Sequence, residues 1–194
     1  MDLAIIGGGA IALTCGLYIS ENHPESNITV YLGEANHKGA SKAAGAMLNV
    51  LSEVDVLNYN SDLTDFKLRN YNDLFKEWNY VENLLMKESN KNLLNGIGTE
   101  IRLKNINSNL IETESFSSML NSANKYNIEI ERNNSSNSFL IPREKSVDSE
   151  IYLASLYKSL VSRGVKIKHK NANSLAKDEN NKVTVNTLDS QVSF

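Results

Sequence analysis

The opening "DLAIIGGGAIALTCGLYIS" constrains this chain more than any other stretch. It is nearly uncharged and holds three consecutive glycines, Gly7, Gly8 and Gly9. A transmembrane helix needs about 20 apolar residues, and residues 3–19 approach that length. Three adjacent glycines oppose such a helix, because glycine loses more backbone freedom on ordering than any other residue. A secretion signal needs a basic leading region, yet the only charge ahead of the apolar run is Asp2. The segment therefore reads as neither anchor nor signal. Residues 3–6 have the length and unbroken apolarity of a central parallel strand buried on both faces.

Residues 7–12 read Gly-x-Gly-x-x-Ala, and a compact, small-sided helix follows over 10–19, with Leu13, Gly16, Leu17 and Ser20 at helical spacing. After the polar turn "ENHPESN", residues 28–32 form a second strand. Strand, glycine turn, helix and strand make up the mononucleotide-binding unit. In such a unit Gly7 permits the tight exit from the strand. Gly9 lets backbone approach a pyrophosphate, and Ala12 and Gly16 keep the helix close to the sheet. The helix N-terminus offers free N–H groups and partial positive charge to phosphates. Small residues at all four positions lean towards FAD rather than NAD. Glu34 is the candidate acid for the ribose hydroxyls. It lies 27 residues after Gly7, against a usual distance of about 20, and Gly33 stands where the acid would most naturally sit.

The next informative stretch is "GASKAAGAMLNVLSEVD", a run of small residues around Ser41 followed by Met47 and Leu48. Small residues let backbone lie against a flat, bulky ligand, and a hydroxyl can donate to a phosphate. Alone, the stretch fits a tightly packed helix equally well. Taken with the glycine turn, the acid-ended strand and "IPREKSVDSEIYLASLYKSLVSRGVKI", it resembles the D-amino-acid oxidase / glycine oxidase family of FAD-dependent oxidoreductases. The family's Val-Asp-Pro helix start has Ser149 in place of proline here. The resemblance is carried by residues 1–50 and 140–190, with the middle alike only in layout. It implies an α/β fold: a Rossmann-like FAD-binding sheet with helices on its faces, formed by 1–50 and 141–194. Residues 51–140 would be part of an inserted α+β substrate domain.

The same resemblance implies the site. Gly7, Gly9, Ala10, Ile11 and Ala12 would line the pyrophosphate turn, and Glu34 would take the adenosine ribose. Ala40 and Ser41 would reach the phosphates, and Ala44, Gly45, Ala46 and Met47 would lie along the flavin ring. Backbone near Ala172 would pair with adenine. The implied substrate is a small-molecule amine or amino acid. The chain stops at "VTVNTLDSQVSF", ahead of the family's later strand and of its substrate-anchoring Arg and Tyr. The resemblance thus carries over no catalytic residue. It implies a fragment, C-terminally truncated relative to the family, with a complementing C-terminal half as a possible partner. Two other readings stand beside it: a non-catalytic remnant or one half of a split flavoprotein, and an NAD(P)-binding dehydrogenase domain.

Elsewhere, residues 62–88 read as one long amphipathic helix, with Leu63, Phe66, Asn70, Leu74, Trp78, Val81 and Leu85 on or near its core face. "GTEIRLKN" reads as a strand, "ETESFSSMLNSANKY" as a helix and "NIEIER" as a further strand. A helix over 149–162, preceded by Asp148 as N-cap and stopped by Gly164, leads into a strand at 165–168. Residues 173–189 alternate around a polar turn at 178–181, as in a hairpin.

A net charge of -3 supplies no basic field for a polyanion, so nucleic acid is a poor partner. The single cysteine, Cys15, excludes an internal disulfide framework and fits a reducing, cytoplasmic compartment. Cys15 is expected to be buried and inert inside the first helix. His23, His37 and His169 have no ligand spacing, so no metal is expected. With 41% hydrophobic residues the chain can bury a core.

Overall fold

The structure is a computed structural model. It describes residues 1–33, 40–43, 47–52, 62–89, 93–102, 110–133, 138–177, 179 and 182–194. The elements begin with β1 (Asp2–Ile6), α1 (Ala10–Asn22), β2 (Asn27–Tyr31), α2 (Ala40–Ala43) and β3 (Met47–Leu48). Then come α3 (Asp62–Arg69), α4 (Tyr71–Ser89), β4 (Leu94–Asn95), β5 (Thr99–Arg102) and α5 (Leu110–Lys125). Next are β6 (Glu131–Asn133), β7 (Ser138–Ile141), β8 (Lys145–Val147) and α6 (Ser149–Ser162). The last are β9 (Lys166–Lys168), β10 (Ser174–Lys177), β11 (Val183–Asn186) and β12 (Gln191–Ser193). The chain divides into two compact units: Met1–Gly45, Lys87–Asn90 and Ser149–Phe194; and Ala46–Met86 with Lys91–Asp148.

The first unit is built on a parallel sheet of order β1-β2-β9, with Leu3 opposite Ile28 and Val30 opposite Ile167. The glycine turn and α1 supply the crossover that parallel pairing demands. Here the structure corrects the sequence reading. β2, not β1, is the central strand: Ile28, Val30 and Tyr31 are buried, while β1 is only partly covered. Among the described residues β1 has a strand neighbour on one side only, so its ladder groups on the other side have no strand partner.

Helix α1 buries Leu13, Gly16, Leu17 and Ser20, the face that the spacing predicts. Cys15 lies off that face and is exposed, against the expectation of burial. Helix α6 buries Tyr152, Ser155, Leu156, Ser159 and Leu160, a stripe at i, i+3, i+4, i+7 and i+8. It ends at Gly164, whose φ of +78° favours glycine, and leads directly to β9. β10, β11 and β12 form an antiparallel meander, with Leu175 opposite Val185 and Val185 opposite Val192. Residues 178, 180 and 181 of the expected turn lie outside the described residues.

The second unit centres on an antiparallel sheet of order β5-β7-β6. Ile101 and Ile141 join a cluster with Leu51, Leu68, Tyr71, Phe75, Met119, Ala123 and Ile128, drawn from α3, α4, α5 and their flanks. The alternate face of the strands, with Glu100, Ser138, Leu140 and Glu131, lines an open depression of about 570 Å³. The strand expected in "NIEIER" is shifted towards its C-terminal end, because Ile128 and Ile130 enter the core ahead of β6. β8 pairs with both β3 and β4, with Met47 opposite Ser146 and Leu94 opposite Val147.

The expected long helix is two helices meeting at Asn70; Val81 and Leu85 are buried as expected, but the core face around Phe66 and Leu74 is different from the expected one. Leu68, Tyr71, Phe75, Val81, Leu84 and Leu85 are buried, whereas Phe66 is 63% exposed and Leu74 40%. Phe66, Asn70 and Leu74 share one helical face, but the tighter row Leu68-Tyr71-Phe75 wins the core because it adds the larger contiguous apolar surface.

Asp65 on α3 ties that helix to the end of α5. It accepts hydrogen bonds from the Tyr126 hydroxyl, from Lys125 Nζ at 3.2 Å and from Arg69. The Tyr126 hydroxyl, then Lys125 and Arg69, lower its carboxyl from 3.8 to about 2. Stability from a depressed carboxyl is complete above its unfolded value and is lost as pH falls through its folded value. Thermal melts should therefore show Asp65→Asn less stable than the parent above about pH 4. The gap should close as pH falls to about 2. A gap that stays constant down to that pH would place the effect elsewhere.

Candidate cofactor site

The end of β1 turns into α1 through Gly7, Gly8 and Gly9, and each glycine meets a separate neighbour. Gly7 donates to Tyr31 O at 2.9 Å, the last ladder bond before the turn, and its φ of +135° is one that residues with a side chain rarely adopt. A Cβ at Gly8 would lie 3.2 Å from Leu32 O, and one at Gly9 would lie 3.0 Å from Ser41 Oγ. Gly9 is the N-cap of α1, with extended backbone and no side chain to cap it. The cap comes from a distant residue: Ser41 Oγ accepts the Ala10 N–H at 3.0 Å, across 31 positions of sequence.

The first hydrogen bond within α1 runs from Leu13 N to Gly9 O at 3.1 Å. The amides of Ile11 and Ala12 therefore precede the helical ladder and lie at its open end. No acidic residue stands in the first turn, so nothing there opposes the positive end of the helix dipole. The Ile11 side chain is 83% exposed. Small residues, free amides and one hydroxyl thus converge at a single helix N-terminus. A helix end of this chemistry is able to accept a phosphate-bearing group.

The structure brings Gly7, Gly9, Ala10, Ile11, Ala12 and Ser41 together. Ala40, exposed at the start of α2, adjoins Ser41. Met47 opens β3 in the second unit. Ala172 lies in the coil between β9 and β10, half-buried. Glu34, Ala44, Gly45 and Ala46 lie outside the described residues.

Sequence reasoning missed the groups that fix α1 in place. Thr14 Oγ1 and Tyr152 Oη are 2.7 Å apart and tie α1 to α6. Burial raises the Tyr152 hydroxyl above its usual range, and the Thr14 hydrogen bond works against that rise. Neither residue carries a motif. Only the stripe spacing of α6, which puts Tyr152 on its buried face, could have singled it out.

The family model described as FAD dependent oxidoreductase matches residues 2–193 of the 194. The chain belongs to that family. A search of curated proteins finds no match. Among solved structures, glycine oxidase from Bacillus cereus is similar at 17% identity with a TM-score of 0.77, over 99% of this chain and 52% of that one. L-proline dehydrogenase from P. horikoshii is similar at 13% identity and a TM-score of 0.72, over 99% and 50%. L-α-glycerophosphate oxidase from Mycoplasma pneumoniae, solved with FAD bound, is similar at 15% and 0.70, over 97% and 50%. Such identities establish a shared fold. The chain spans about half the length of these proteins. No helix among the described residues is long and apolar enough to cross a membrane.

Ser41→Ala should leave the Ala10 amide without its cap. The expected cost is about 1 kcal/mol in the cofactor-free protein, measured by urea denaturation. No change would mean that solvent caps α1 as well as Ser41 does.

Proposed function

We propose that this chain supplies the cofactor-binding part of an FAD-dependent oxidoreductase that oxidises an amine or amino acid. The observation that carries this reading is the Ser41-capped glycine turn, a helix end with no acidic residue in its first turn. Gly7, Gly9, Ala10, Ile11 and Ala12 would hold the pyrophosphate, with Ala40 and Ser41 beside it. Glu34 remains the residue proposed for the ribose, Ala44, Gly45, Ala46 and Met47 for the flavin, and Ala172 for adenine. When bound, FAD would supply the redox chemistry, as acceptor of the hydride from the carbon next to the substrate nitrogen, and the imine so formed would hydrolyse. This chain's own residues bind and orient the cofactor. No catalytic side chain is assigned to it.

The substrate class is drawn from the family and from the glycine oxidase and proline dehydrogenase that the fold resembles. A complementing half belongs to the same proposal. Ile6 is 47% exposed at the end of β1, and Ile11 and Tyr18 are exposed on α1 beside it. A parallel strand of this apolarity is ordinarily covered, and a further segment beside β1 would cover it. A cytoplasmic location fits the lone cysteine.

Titration of the purified chain with FAD, followed by flavin fluorescence and visible absorption, tests the reading. The parent should take up FAD, and Gly9→Val should bind it at least about tenfold more weakly because its side chain fills the cradle. The folded spectrum should be unchanged. A colourless protein that ignores added FAD would refute FAD binding by this chain. A response to a nicotinamide dinucleotide instead would favour the dehydrogenase reading.

A further inference from the structure

The Ser41–Ala10 bond joins two separate elements, α2 and α1, across 31 positions of sequence. A single hydrogen bond contributes too little to hold two helices in register by itself. Helix α6 packs against both α1 and α2, so it is the element able to set that register.

α1 meets α6 at successive heights. Towards the far end of α1, Arg163 donates through Nε and Nη2 to Glu21 Oε2 at 3.3 and 3.1 Å. In the middle, Gly16 lies so close to α6 that a Cβ there would come within 3.2 Å of Leu160 Cδ2. Of these contacts, the 2.7 Å bond between Thr14 Oγ1 and Tyr152 Oη lies nearest the open end. Thr14 stands four residues after Ala10, about 6 Å along the helix axis. Tyr152 sits in the first turn of α6 and is 3% exposed, so its ring cannot tilt without displacing packed neighbours. The far half of α1 is thus held by close packing and an ion pair, while a pair of hydroxyls ties its N-terminal half to α6.

We propose that Tyr152 is a positioning residue: through Thr14 it holds the open end of α1 at the spacing from α2 that the Ser41–Ala10 bond requires. On the reading that this end receives FAD, on which this consequence rests, Tyr152 also sets cofactor affinity by acting through α1. Loss of its hydroxyl leaves Leu160 and Arg163 to hold the rest of α1, and the freed end spends part of its time away from Ser41. The apparent dissociation constant then rises by the inverse of the fraction that stays competent. One hydrogen bond of ordinary strength corresponds to a factor of roughly five.

Tyr152→Phe in the full chain keeps the ring and removes the bond. In the cofactor-free protein, hydrogen exchange at the Ala10 amide should quicken roughly fivefold while the Ser20 amide is unchanged. Titration with FAD should give a dissociation constant roughly fivefold higher. Thr14→Val should reproduce both effects, and the double variant should add nothing to either, because the two side chains act as one pair. Glu21→Gln is the control: it weakens the contact at the far end of α1 and should move neither readout. Unchanged Ala10 exchange in Tyr152→Phe, even with a lower urea midpoint, would make Tyr152 merely structural and overturn the proposal. Equal effects from Glu21→Gln would overturn it too. If the exchange result holds but the parent takes up no FAD, the positioning role stands and the FAD reading falls.

Discussion

The depth at which α1 is seated governs the geometry of the first unit. Gly16 sits where any Cβ would come within 3.2 Å of Leu160 Cδ2 on α6 and 3.3 Å of Ile5 Cδ1 on β1. With hydrogen alone at that position, the helix lies against both. Leu17, Leu156 and Leu160 are then closed off from water, each contributing about 1.5–3 kcal/mol. The Thr14–Tyr152 hydrogen bond fixes the rotation of α1 against α6. The reach of Ser41 to Ala10 depends on this seating too, because an outward shift of α1 would open a 3.0 Å bond. The N-terminal end of α1 is therefore shaped by packing two turns away from it.

The second unit follows another logic. Its strands pair antiparallel, one face of its main sheet enters an apolar cluster, and the opposite face lines a depression. What joins its distant segments is polar. Glu144 takes three amides of the 50–52 turn, Glu82 takes the Leu93 and Leu94 amides at 3.2 and 2.9 Å, and Asp65 ties α3 to α5. Buried carboxylates that accept backbone N–H groups stabilise turns whose own donors have no ladder to join.

Much of the first unit was legible because its signals are local. The glycine turn, two short apolar runs and the Gly164 stop each read from a few adjacent residues, and β1, α1, β2, α6 and β9 fall where they indicate. Ser41 stood out in its run of small residues, but its bond to Ala10 is a long-range event without a local trace. The edge position of β1 was misread because unbroken apolarity looks the same for any strand meant to be covered on both faces. Cys15 was misplaced because a helix of small apolar residues has little contrast between its faces. On α3 and α4 two apolar rows competed, and periodicity alone did not say that Leu68, Tyr71 and Phe75 would outrank Phe66 and Leu74. Glu144, a glutamate in a polar stretch, gave no sign of its burial.

The central claim is that the open end of α1, capped by Ser41, receives the phosphates of FAD. Backbone amide resonances recorded during an FAD titration test this most directly. The account predicts saturable shifts at Ala10, Ile11, Ala12 and Ser41, with the Ala10 amide among the largest because its present partner must yield or share. Uptake of FAD with those four amides unmoved would contradict it.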